Sequence, residues 1–192
     1  MPKLWTDTIE GHRLAVRDAA LDATATLVAD GGLRSVTMSK LAEVTGVGRA
    51  TLYKYFPDVE SVLLAWHERE VARHLAQLVE ARDRSTDPLT QLGAVLTTYS
   101  QIARESRGRP DAEMAAFLHR DKHVAWADHD LRAIVRDLIA EAAKIGAVRT
   151  DVSPDELASY CLHALSAAGR LPSTAAVDRL VAVTMTGLRR DD

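Results

Sequence analysis

The sequence contains 192 residues, of which 47% are hydrophobic and 27% charged, a balance typical of a globular protein with a buried core. Its formal net charge is −3, so the chain as a whole lacks the strongly basic character that would by itself indicate nucleic-acid binding. Cys161 is the only cysteine, which excludes an intrachain disulfide. Because no apolar run reaches the roughly 18 residues of a membrane span and no signal segment is present, the sequence predicts a cytoplasmic protein that makes no contact with a membrane.

Helical periodicity recurs along the chain, and the sustained alternation that marks β-strands is missing. The predicted fold class is therefore all-α, with about nine helices. The first four are predicted at about Asp7–Asp30, Thr37–Gly46, Gly48–Tyr55 and Val59–Arg84, where glycine, proline and capping residues mark the ends. Five more are predicted to begin near Pro88, Asp111, His123, Pro154 and Val177.

Two domains are predicted from this order of helices. Residues 10–70 form a small N-terminal unit of three helices that contains a helix-turn-helix at residues 37–56, and residues 71–192 form a larger helical bundle. Between Leu33 and Phe56 four cations and one acid give a local charge of +3 in a chain that is negative overall. A local basic patch of this kind favours contact with phosphates.

The segment from Thr37 to Phe56 has the pattern of two short helices joined by a tight turn. Gly46 allows a left-handed backbone at the turn, and Leu52 and Phe56 hold the second helix from the inside. The residues that remain outside carry two cations, a hydroxyl and two phenols, and they are Arg49, Ala50, Thr51, Tyr53, Lys54 and Tyr55. Such groups bind phosphates, and arginine also reads guanine.

At this segment the sequence resembles the TetR family of repressors. The matching residues are Val36-Thr37-Met38, Leu41-Ala42, Gly46-Val47, Thr51-Leu52-Tyr53 and Tyr55-Phe56. The resemblance implies that the third helix enters the major groove of DNA, with Arg49 as the base-contacting residue. It also implies phosphate contacts by Thr51, Tyr53, Lys54 and Tyr55, with Thr37 and Lys40 on the flanks and small Ala50 at a point of close approach.

Two residues depart from the family pattern. The family usually has serine where this chain has Gly48 and lysine where it has Val59. Each change removes a phosphate partner, so we expect weaker non-specific affinity and a shallower salt dependence than in a fully matching relative.

The resemblance implies a ligand-binding and dimerisation domain in residues 71–192. The predicted dimer interface lies on the last two helices and comprises Leu157, Cys161, Ala164, Leu165, Ala168, Val177, Leu180, Val181, Thr184, Met185 and Leu188. A two-fold dimer matches a palindromic operator. The alternative is that these stripes face the monomer's own core.

A ligand pocket is predicted among the fourth to eighth helices. Its candidate lining residues are Trp66, His74, Tyr99, Met114, Phe117, Leu118 and Trp126. This composition suits an unknown small-molecule effector of apolar or aromatic character. The alternative is that these residues are ordinary core.

The predicted function is that of a transcriptional repressor, which that effector releases from its operator DNA. Two alternative functions are open. They are a helical interaction module that has lost DNA binding, which Gly48 and Val59 favour, and a small all-α ligand-binding enzyme. His119 and His123 have the i, i+4 spacing of zinc ligands, but no general base lies between them. Cys161 and His163 are two residues apart on a helix and point away from each other. No catalytic residue, metal or cofactor is therefore predicted.

Overall fold

The computed structural model describes the backbone of residues 3–105 and 122–189 and the side chains of residues 11–105 and 129–189. All regular structure in these residues is helical, which confirms the predicted all-α fold class. Eight α-helices occur in the described residues: α1 (Lys3–Gly31), α2 (Met38–Thr45), α3 (Arg49–Leu52), α4 (Val59–Asp83), α5 (Pro88–Glu105), α6 (Lys122–Lys144), α7 (Pro154–Ser166) and α8 (Thr174–Gly187). The helix predicted near Asp111 lies outside them.

Short 3-10 turns at Leu33–Ser35 and Ala167–Arg170 complete the helical structure. The first helix is longer than predicted, because residues 4–6 contain no glycine or proline to stop it. The third is shorter: its α-helical part ends at Leu52, and 3-10 bonds of 3.0–3.1 Å continue the turn to Tyr55. Pro57 accounts for this, because it disfavours helical backbone at the residue before it.

The described residues fall into two compact units, one ending at residue 70 and the other beginning at residue 71. In the first unit, α1, α2, α3 and the start of α4 enclose a core built on Ala20, Leu41, Leu52 and Val62, each at most 1% exposed. An ion pair of 2.9 Å between Arg69 of α4 and Asp22 of α1 adds a surface link. The core holds α3 by its inner face and leaves the opposite face to solvent.

In the second unit α5 is the central helix and packs against α6, α7, α8 and the second 3-10 turn. Leu92, Val95 and Leu96 of α5 are fully buried. The facing helices contribute Ile139, Leu165 and further apolar side chains to the same cluster. The predicted apolar stripes of these helices therefore supply the core of this unit.

Side-chain caps start several helices where the sequence signals them. Ser153 and Glu156 form a complete capping box at α7, with Pro154 in the first turn. The carboxylates of Asp58 and Asp87 accept the backbone N–H of Ser61 at 2.7 Å and of Thr90 at 2.8 Å. None of the described helices combines the length and apolarity that crossing a bilayer requires.

Candidate functional site

The turn between α2 and α3 is locked by one glycine and one threonine. Gly46 adopts a left-handed backbone with φ of 69°, which glycine reaches without steric cost. The Thr45 hydroxyl donates to the carbonyl of Leu41 at 2.6 Å and accepts the N–H of Val47 at 3.2 Å. These bonds fix the direction in which the chain leaves α2, and with it the position of α3.

The start of α2 is capped by Thr37, whose hydroxyl accepts the N–H of Lys40 at 3.2 Å. Met38 and Leu41 are buried, and Thr37, Ser39 and Lys40 are exposed. The cap therefore holds Thr37 and Lys40 at the surface at the start of the helix-turn-helix.

The inner side of α3 is anchored at two points. Leu52 is 1% exposed and Phe56 is 2% exposed. The guanidinium carbon of Arg17 on α1 lies 5.4 Å from the centre of the Phe56 ring, within the range of a cation–π contact. These anchors determine which side chains remain outside.

We call the outer residues of this segment the recognition face: Arg49, Ala50, Thr51, Tyr53, Lys54 and Tyr55. Arg49, Ala50, Tyr53 and Lys54 are exposed, and Thr51 and Tyr55 are half-buried. Six of the residues predicted from the sequence to contact DNA are thus at least partly exposed along this one segment. Their hydroxyls and cations are suited to the acidic backbone of a nucleic acid.

Gly48 caps α3 with its backbone alone, and no side chain bonds to the first turn. The first amide groups of a helix have no partner within the helix, and they favour anions at that end. The exposed guanidinium of Arg49 follows directly. The start of α3 therefore lacks the hydroxyl that a serine would add.

The start of α4 differs from that of α3, because Asp58 already occupies it. The Asp58 carboxylate bonds to the N–H of Ser61, and the Ser61 hydroxyl donates to the Asp58 carbonyl at 2.7 Å. Val59 is half-buried at the first position of the helix. An anion approaching this helix start would meet the negative charge of the Asp58 carboxylate.

Two residues that support the surface were missing from the sequence analysis. Thr45 has a detectable signal, because a threonine just before the turn glycine commonly bonds backward to its own helix. Arg17 has none, because its contact with Phe56 joins residues far apart in the sequence and depends on how α1 packs.

The second unit contains a cavity of about 310 Å³ lined by residues of α5, α6 and α7. Two of the lining residues, Leu131 and Leu162, are apolar, and the other five are Tyr99, Arg132, Ser159, His163 and Ser166. Another cavity, of about 230 Å³, is lined by α4 and α5 residues that include Gln77, Glu80 and Arg84. Both described cavities are more polar than the pocket predicted from the sequence.

Of the predicted pocket residues, Tyr99 alone lines a described cavity. Trp66 is 5% exposed in the first unit, and its buried indole N–H has no hydrogen-bond partner among the described residues. His74 is half-buried on α4. Met114, Phe117 and Leu118 lie outside the described residues, as does the side chain of Trp126.

Most of the residues predicted for the dimer interface lie in the core of the second unit. At most 7% of the surface is exposed for Leu157, Cys161, Leu165, Ala168, Val177, Val181, Thr184 and Leu188. Ala164, Leu180 and Met185 are half-buried. An apolar stripe predicts that a helix face is buried, but not whether the same subunit or a partner buries it. Here the helices of the same subunit bury it.

The outer surface of α7 and α8 carries apolar residues of its own. Tyr160 is 46% exposed and Val183 is 64% exposed. The Tyr160 hydroxyl lies 3.3 Å from where a side chain on Gly187 would begin, so the phenol rests on α8 one turn beyond Val183. We call Tyr160, Ala164, Ala167, Val183 and Gly187 the outer α7–α8 face.

Burial raises the pKa of the Cys161 thiol to about 12, so no reactive thiolate forms near neutral pH. His163 is exposed, and its Nδ1–H donates to the carbonyl of Ser159 at 2.8 Å. Among the described residues no group of three or more histidines, cysteines or acids can hold a metal ion. His119 and the side chain of His123 lie outside those residues.

Family models match both parts of the chain. The model for the C-terminal domain of SbtR-like transcriptional regulators matches residues 87–190, more than half of the sequence. The model for bacterial regulatory proteins of the tetR family matches residues 20–66, which include the whole helix-turn-helix.

A similar curated protein is the HTH-type transcriptional repressor KstR of Rhodococcus jostii (strain RHA1), which is 29% identical over 143 residues. The alignment covers 73% of this chain and 62% of that repressor. The chain therefore spans less than two thirds of the length of this relative.

Solved structures share the fold at low sequence identity. The ketosteroid transcriptional regulator KstR2 of Mycobacterium tuberculosis gives a TM-score of 0.68 at 16% identity, over 91% of this chain and 95% of that one. The transcriptional regulator FadR from Bacillus subtilis, in complex with stearoyl-CoA, gives 0.67 at 14% identity, over 89% and 98%.

Proposed function

The chain belongs to the TetR family of transcriptional regulators, and on this premise we propose that it is a repressor that binds double-stranded operator DNA. The observation that carries the proposal is the recognition face, on which Arg49, Lys54 and two tyrosines are presented by a helix anchored from behind. This face is locally basic although the chain as a whole is acidic. Arg49 contacts base edges in the major groove, and the remaining groups contact phosphates.

The test begins with duplexes selected by the purified protein from a randomised DNA pool. We expect Arg49→Ala to lose about 1–3 kcal/mol of binding to the selected site, because a bidentate contact to guanine discriminates by that amount. Lys54→Ala should weaken selected and random duplexes alike and reduce the salt slope by about 1. Fluorescence anisotropy at several salt concentrations measures both effects.

Arg84→Ala is the matched control, because Arg84 is an exposed arginine directly after α4 in the second unit, ion-paired with Glu80. It should bind the selected site as the parent does. If Arg49→Ala also bound like the parent, the assignment of the base-reading residue would be wrong. If no duplex were enriched from the pool, the protein would not be a sequence-specific DNA-binding protein.

We further propose that the protein acts as a homodimer whose subunits meet through the outer α7–α8 face. The exposed side chains of Tyr160 and Val183 and the small side chains of Ala164 and Ala167 on this face suit close packing against a helix of the partner subunit. This proposed interface replaces the stripe predicted from the sequence, which is buried within the subunit, with the neighbouring exposed face of the same two helices. A two-fold dimer presents two recognition faces, and its operator is therefore palindromic.

Release from DNA is proposed to follow the binding of a small molecule in the second unit. KstR2 is a ketosteroid transcriptional regulator and FadR was solved with stearoyl-CoA, so relatives of this fold respond to or hold small molecules. Helix α4 has residues in both units and is about 37 Å long at the usual rise. A shift of α4 changes the spacing of the two recognition faces in the dimer. The ligand shifts the equilibrium between two positions of α4 only to the extent that it binds one of them more tightly.

Catalysis forms no part of the proposal. The one thiol is buried with a raised pKa, and the family consists of regulators. The described cavities are assigned to binding alone.

A further inference from the structure

The cavity of about 310 Å³ in the second unit has a cationic group at its wall that is only partly used. Arg132 of α6 binds Asp155 of α7 through Nε at 3.0 Å and Nη2 at 2.7 Å. The third guanidinium nitrogen, Nη1, makes no hydrogen bond with any described residue. Arginine has five N–H donors, so a second anion can be bound by the same side chain.

Hydroxyl and imidazole groups stand around this arginine in the same cavity. Ser159, Ser166 and Tyr99 carry hydroxyls, and the ring nitrogen Nε2 of His163 is left over once Nδ1 has bonded to the carbonyl of Ser159. Leu131 and Leu162 supply apolar contact. The Tyr99 and Ser166 hydroxyls already donate to the carbonyls of Leu162 at 3.5 Å and His163 at 2.7 Å, so the lining offers an anion the Arg132 cation and the Ser159 hydroxyl, beside a short apolar surface.

We propose that this cavity binds a compact carboxylic acid, with the carboxylate on Nη1 of Arg132 and an apolar body against Leu131 and Leu162. A volume of about 310 Å³ lies at the lower end of small-molecule sites, which favours a compact ligand over a long-chain or polycyclic one. The planar guanidinium already holds the Asp155 carboxylate in a two-point fork, the geometry that carboxylates prefer. The regulatory part of this proposal rests on the proposed function, in which the acid is the effector that releases the protein from DNA.

The position of Arg132 also gives the ligand a means of acting on the fold. Its ion pair with Asp155 joins α6 to the first turn of α7. A second carboxylate on the same guanidinium repels Asp155 and competes with it for the cation. Ligand binding therefore weakens the ion pair that joins α6 to α7, and neutralising Asp155 should tighten ligand binding.

The experiment is calorimetric titration of the full chain with benzoate and hexanoate, and with their neutral analogues benzamide and hexanamide. The acids should bind at least about ten-fold more tightly than the amides, because hydrogen bonds to a charged group are the stronger ones. Arg132→Gln should lose this preference, and Asp155→Asn should strengthen binding of the acids several-fold.

Arg82→Gln and Asp83→Asn are the matched controls, because that arginine and acid form an ion pair on α4 in the same unit and line neither described cavity. Both should bind the acids within about two-fold of the parent. Ser159→Ala removes a hydroxyl of the cavity lining and gives a second variant, which should weaken binding of the acids and tests the site if Arg132→Gln does not fold. Equal binding of acids and amides, or equal loss in Arg132→Gln and Arg82→Gln, overturns the proposal, as does the absence of binding at millimolar acid.

Operator affinity in the presence of the acid separates this inference from the proposed function. If the acid binds through Arg132 and operator affinity is unchanged, the cavity assignment is supported and its regulatory role is overturned. If the protein selects no operator, the proposed function fails on a measurement that does not involve Arg132.

Discussion

Gly48 begins the recognition helix with a backbone that any residue can adopt. Its φ is −58°, and no atom lies within 4 Å of the place where a side chain would start. Replacing it with serine adds an N-cap hydroxyl and a donor to phosphate, and it removes conformational freedom from the unfolded chain. We expect Gly48→Ser to raise stability by about 0.5–1 kcal/mol and to tighten DNA binding. Urea unfolding and anisotropy measure the two effects.

Gly48→Ala separates the hydroxyl from the loss of glycine freedom. Alanine reduces the entropy of the unfolded chain in the same way but provides neither cap nor phosphate contact. Its DNA affinity should stay at the parental value. If alanine tightened DNA binding as much as serine did, the hydroxyl would not be the missing partner.

Single residues differ in how much of their role the sequence reveals. The outward position of Arg49 and Lys54 follows from local spacing, because Leu52 and Phe56 must face inward on the same short helix. Arg17 could not be found in this way, because its contact with Phe56 depends on the packing of α1. In the second unit Tyr99 is the one predicted pocket residue that lines a described cavity, and Arg132 and His163 beside it were not predicted, because the grouping of side chains around a cavity depends on tertiary packing.

At the scale of elements, the α7 cap offers a direct test of how local signals start a helix. The Ser153 hydroxyl accepts the N–H of Glu156, and the Glu156 carboxylate accepts the N–H of Ser153 at 3.0 Å. We expect Ser153→Ala to destabilise the protein by about 1 kcal/mol in urea unfolding at neutral pH. Ser166→Ala, at the last residue of the same helix, should change stability by less than about 0.5 kcal/mol. Equal effects of the two substitutions would show that the cap does not stabilise α7.

The contribution of this cap depends on pH with a definite sign. The hydroxyl and the backbone N–H of Ser153 lower the pKa of Glu156. A lowered folded-state pKa means that the charged form stabilises the fold above the unfolded-state pKa, and that this stability is lost as pH falls through the lowered value. The difference between Ser153→Ala and the parent should therefore shrink on acidification. A difference that grew toward low pH would contradict this origin.

Helix ends were more predictable than helix surroundings. Caps and breakers such as Thr37, Asp58, Pro88 and Ser153 lie at the observed starts, because their effect is local. The extent of α3 was overestimated: Pro57 was used as its stop, but no local pattern says how far before the proline the α-helical bonds give way to 3-10 bonds. The stripes on α7 and α8 were identified correctly as apolar, but the partner that buries them is a tertiary property that no local pattern contains.

At the scale of the whole molecule, the proposed dimer depends on the outer α7–α8 face. Val183 is exposed, so Val183→Asp should leave the subunit folded, while two-fold symmetry places the new charge twice in one interface. Desolvating unpaired charges costs several kcal/mol, so we expect the dimer dissociation constant to rise at least about 100-fold, and operator affinity to fall with it. Ile145→Asp is the control, because Ile145 is similarly exposed in the same unit but lies off this face. Light scattering after gel filtration measures the mass. If Val183→Asp remained a dimer at the concentrations at which Ile145→Asp does, subunits would meet elsewhere on the molecule.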